Sequence, residues 1–101
     1  MNENQNFHLI RGTFSAEDAS KILMEMIQNK IAYHNLQIFS QRVRFGEADT
    51  SASQNRIQEL MVIKENLQKT LRQAEDLGLS VELDCPINVK LVAPRKNQTL
   101  L

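Results

Sequence analysis

The sequence predicts an α+β fold of order β-α-α-β, a long antiparallel helical hairpin packed on a small antiparallel sheet that oligomerisation completes. Three observations carry this. Apolar residues recur at helical spacing through two stretches, one on each side of Gly46–Thr50. From Val81 to Leu91 the period changes from 3.6 to 2, which is the pattern of a strand. A shorter and less regular alternation precedes the first helix. The expected elements are a strand over 6–14, helices over 15–44 and 52–77, and a strand over 80–92. They form a single domain over 1–93, with 94–101 a flexible tail lacking periodicity.

In Phe7–Phe14, Phe7 and Leu9 are expected to point one way and His8 and Ile10 the other, with Gly12 loosening the backbone before the helix. Ser15 is the expected N-cap, and Asp18 three residues on makes a capping-box-like pair. Glu17 and Asp18 put negative charge where the helix dipole favours it, and Phe14 and Ala19 occupy the positions of a hydrophobic staple. Ala19, Ile22, Leu23, Met26 and Ile27 then repeat at helical spacing, and Ile31, Ile38 and Phe45 extend the stripe at intervals of seven. The helix is expected to end between Ser40 and Phe45, with Gly46 closing the turn.

Thr50, Ser51 and Ser53 are alternative N-caps for the second helix. Leu60, Leu67 and Ala74 run down its apolar face, flanked by Ile57 and Leu71 on one side and Ile63 and Leu77 on the other. Glu65–Lys69 and Arg72–Asp76 are spaced for i,i+4 pairing on the opposite face. Gly78 followed by Leu79 reads as a Schellman-type stop. Each helix spans roughly 25 residues, or about 37 Å at the helical rise, so a short loop makes them antiparallel neighbours. In the last strand Val81, Leu83, Cys85, Ile87, Val89 and Leu91 alternate with polar residues, and Pro86 marks an edge or a bend. Two strands make a poor sheet alone, and a long free edge invites pairing with another copy, so a homodimer or larger assembly is expected.

Composition excludes several function classes. Twelve basic residues balance twelve acidic ones among 101, without the basic surplus by which a nucleic-acid binder usually shows itself. The single Cys85 rules out an internal disulfide, Met1–Asn6 carries no positive charge, and Leu60–Ile63 is the longest apolar run. A cytoplasmic protein without a membrane span is expected. His8, His34 and Cys85 are too few and scattered for a structural zinc site, and no cofactor is implied. HExxH, GxSxG and paired CxxC motifs are absent, and Gly12, Gly46 and Gly78 are isolated, so no phosphate-cradling loop exists and no catalytic residue is assigned.

One anomaly stands out as a ligand or partner site. Lys30, His34, Gln37 and Gln41 fall on the same line of the first helix as Ala19, Leu23 and Met26, so polar residues run down the middle of its apolar face. As a site, His34 would exchange protons near neutral pH, Lys30 would supply charge and Tyr33 a hydroxyl. As a seam between helices, the same residues would fix register or oligomeric state. Arg42 and Arg44 beside the turn make a phosphate or acidic-partner site, or a solvated helix end balanced by Glu47 and Asp49. Met61 and Val62 lie off the apolar face of the second helix and belong to a contact patch if they act together. The expected function is a homo-oligomeric structural or protein-interaction module, not an enzyme. The alternatives are a nucleic-acid-associated regulator in which Arg11, Arg42, Arg44, Arg95 and Lys96 cluster in the assembly, and a ligand binder or enzyme at Lys30, Tyr33 and His34.

Overall fold

The structure, a computed structural model, describes residues 4–46 and 49–94. The element order is β1 (Asn4–Phe14), α1 (Ala16–Phe45), α2 (Ser51–Asp76) and β2 (Val81–Lys90). The two helices form the hairpin, and β1 and β2 pair antiparallel as a two-stranded sheet. Residues 95–101, most of the expected tail, lie outside the described residues, as does Glu47.

Local chemistry fixes most of the ends. The Ser15 hydroxyl accepts from the Asp18 N–H at 3.0 Å, with Glu17 and Asp18 in the first turn. At the other end Gly46 takes φ 68°, and its N–H donates to the Arg42 carbonyl. α2 stops in a Schellman arrangement: the Gly78 N–H donates to Glu75 and the Leu79 N–H to Ala74, with Gly78 at φ 67°. Its start differs from expectation. Thr50 precedes the first helical residue but makes no capping bond; the Asp49 carboxylate instead accepts both the backbone N–H and the hydroxyl of Ser51. An aspartate bonding two residues ahead is an Asx turn, and it leaves Thr50 free to turn inward, where its Oγ1 accepts from Gln54.

The sheet corrects the expected facing of β1. Phe7 pairs with Ile87, His8 with Pro86 and Ile10 with Cys85, so Leu9 is a bulge with no partner. The extra residue reverses the alternation, and Phe7, Ile10, Gly12 and Phe14 share a face with Val81, Leu83, Cys85, Ile87 and Val89. The bulge sits across from Pro86, which has no N–H to give, so the ladder is interrupted where it has least to lose. On the opposite face the His8 imidazole contacts the Asp84 carboxylate at 2.9 Å.

The sheet abuts α1 near the open end of the hairpin. The whole measures 50 × 37 × 15 Å, and its radius of gyration is 17.3 Å. A compact chain of 100 residues has a radius of about 13 Å. The interior is accordingly a line, not a volume: Ala19, Ile27, Leu60, Leu71 and Ala74 are its buried apolar residues, joined by His34, Thr50 and Ser53.

Candidate interaction surface

Grooves along the hairpin show how its helices are aligned. One runs between Ala16–Lys21 of α1 and Gln68–Glu75 of α2, and another between Gln28–Ile31 and Met61–Gln68. Continuing that antiparallel alignment sets the second half of α1 beside the first half of α2. The seam therefore changes character along its length. Near the sheet it is lined by Ala19, Leu71 and Ala74; near the turn it holds His34, Gln41, Thr50 and Ser53.

That polar end is not fully paired. His34 is 7% exposed, and among the described residues its Nδ1 has no hydrogen-bond partner; neither has Gln41 Oε1 nor Ser53 Oγ. Leaving such groups buried and unpaired costs about 1–3 kcal/mol each. The expected polar stripe divides. His34 is sealed into the seam, Gln37 and Gln41 are half-buried, and Lys30 and Tyr33 are exposed. Tyr33 meets the His34 ring edge-on at 5.6 Å, and its hydroxyl accepts from the Gln37 amide at 3.1 Å. Neither groove along the hairpin is lined by Lys30, Tyr33 or His34, and no hydrogen bond among the described residues joins the three.

Arg42 and Arg44 are exposed at the turn end, with the Arg44 guanidinium 5.6 Å from the centre of the Phe45 ring. Arg11 belongs to β1, so the length of α1 (about 45 Å at the helical rise) separates it from them within one chain. Arg95 and Lys96 lie outside the described residues. Cys85 is a half-buried free thiol on the apolar face of the sheet. Among the described residues no group of His, Cys, Asp or Glu is placed to hold a metal, and no helix is long and apolar enough to cross a membrane.

What the chain does present is uncovered apolar surface. On α1, Leu36, Phe39, Val43 and Phe45 are 63–68% exposed, and Tyr33 is exposed beside them. On the sheet, Phe7, Ile87 and Val89 continue the apolar face beyond the part that α1 covers, and all three are exposed. Met61 and Val62 are exposed on α2, as their off-face positions imply, and so are Ile63 and Leu77, which the sequence places on the flank of the apolar face. The α1 ridge lay hidden in the sequence because its apolar residues flank a polar line that draws attention to the seam. The sheet face was hidden by the bulge. Comparison with protein-family models, curated proteins and solved structures finds no match to this chain.

Proposed function

We propose that this chain is a homo-oligomeric structural or protein-interaction module, dimeric in its simplest form, whose working surface is the apolar area a single copy leaves open. The observation that carries this reading is the balance of side chains: sixteen large apolar residues are exposed among the described residues, against five apolar residues buried. Leu36, Phe39 and Val43 follow one another at helical spacing on α1, and soluble monomers rarely leave large apolar patches to water. The accessible surface agrees. At 8249 Å² it exceeds by roughly 2,400 Å² the value of about 5,800 Å² for a compact monomer of this mass, and a stable interface removes about 800 Å² from each partner. Among the described residues the sheet has two strands, and each keeps one free edge. An unpaired thiol suits the cytoplasm, where such groups stay reduced.

Sedimentation equilibrium of the full chain at micromolar concentration tests the reading. A mass of twice 11.6 kDa or more is expected. A folded monomer throughout the micromolar range would overturn it.

A further inference from the structure

α1 carries two heptad lines. The first, mostly polar, faces α2 along Ser20, Ile27, His34 and Gln41, seven residues apart and buried or half-buried. The second lies about 120° round the helix and follows a heptad. Its a positions are Ala19, Met26, Tyr33 and Ser40, and its d positions are Ile22, Asn29, Leu36 and Val43. No a or d position is charged. Ala19 is buried and Ile22, Met26 and Ser40 are half-buried, but Asn29, Tyr33, Leu36 and Val43 stand open. One helix therefore has an occupied seam and, beside it, a second seam of the same period left open along much of its second half.

The flanking charges choose an orientation. The e positions are Leu23, Lys30, Gln37 and Arg44; the g positions within the helix are Asp18, Glu25, Ala32 and Phe39. Antiparallel helices set e against e and g against g, and this distribution then offers no opposite-charge pair. Parallel helices set g of one against the following e of the other, which puts Glu25 opposite Lys30 of a second copy on both sides of the seam. Glu25 and Lys30 are exposed, and neither forms an ion pair among the described residues.

Resting on the self-association proposed above, we propose that a second copy docks along this stripe as a parallel, in-register α1–α1 pair. Tyr33, Leu36 and Val43 form its layers, and two symmetry-related Glu25–Lys30 contacts fix its direction. A parallel pair also carries both sheets to the same end of the dimer, where their uncovered apolar faces and free edges are neighbours. Lys30 thereby becomes a residue that specifies the partner's direction.

Single cysteines at Tyr33, Leu36 and Val43, each in a Cys85→Ser chain, test this by disulfide formation under mild oxidation at micromolar concentration. Val62→Cys on α2 is the control. In-register parallel helices bring each position beside its own counterpart, so all three variants are expected to self-cross-link about tenfold or more above the control. Cross-linking at only one position would mean an antiparallel crossing and overturn the orientation. None in a chain that still sediments as a dimer would overturn the surface while leaving self-association intact, whereas a monomer would remove both.

Discussion

The two ends of the hairpin are built on opposite principles. Near the sheet, apolar side chains are inside: Ala19, Leu71 and Ala74 are buried, and charged Glu17, Lys21 and Arg72 face water. Near the turn the order is inverted. His34, Gln41 and Ser53 hold unpaired polar atoms inside, while Leu36, Phe39, Val43 and Phe45 are outside. The first end follows the usual logic of burial, and its stability comes from area removed from water. The second gives up part of that gain twice, through buried polar atoms and through apolar surface left wet. That arrangement is the one expected if the outer face is covered in the self-association proposed above.

Substitutions that exchange the character of one end for the other probe this contrast. The largest effect is expected for Leu71→Ala, which removes most of the largest buried side chain at the apolar end. It should lower unfolding stability by about 2–5 kcal/mol in urea titration. A loss below 1 kcal/mol would mean that the apolar end is not the stability-bearing one. At the polar end the sign should reverse: His34→Leu removes the unpaired Nδ1 and is expected to raise stability by about 1 kcal/mol in the same titration. A loss there would show that the imidazole has a partner, such as a bound water, that makes it worth keeping.

The caps offer smaller tests of the same contrast. Ser15→Ala removes the bond to the Asp18 N–H and should lower stability by about 1 kcal/mol. At the turn end Asp49 does the capping, and the Ser51 hydroxyl first, then the Ser51 backbone N–H, hold its carboxyl below the ordinary aspartate range. A carboxyl whose folded value is depressed favours folding above its unfolded value, and that contribution is lost as pH falls through the folded one. Asp49→Asn should therefore lower stability slightly at neutral pH and leave it unchanged at low pH, which flattens the acid limb of the stability curve. An unchanged acid limb would show that the Ser51 contacts do not persist in solution.

Much of this fold was legible because its determinants are local. Ser15, Gly46 and Gly78 mark helix ends through their own backbone chemistry, and the period change at Val81 needs no knowledge of distant residues. The polar line through His34 and Gln41 was legible too, since helical spacing alone puts it on the apolar face. Three features were not. The bulge at Leu9 depends on Pro86, a residue far along the chain, and cannot be read from β1 alone. Asp49 reads as a solvated acid because its capping role exists only once Ser51 has begun a helix. The second stripe on α1 is faint because Asn29 and Ser40 interrupt it, and only the observed exposure of Leu36 and Val43 separates it from the seam.

The unpaired Leu9 has an evolutionary consequence. Because His8 and Ile10 already oppose consecutive residues of β2, the chain can lose Leu9 and keep every other pairing as it is. A single-codon deletion there would straighten the ribbon without shifting its register. A single-residue deletion should therefore be tolerated at that one point of the strand and nowhere else along it.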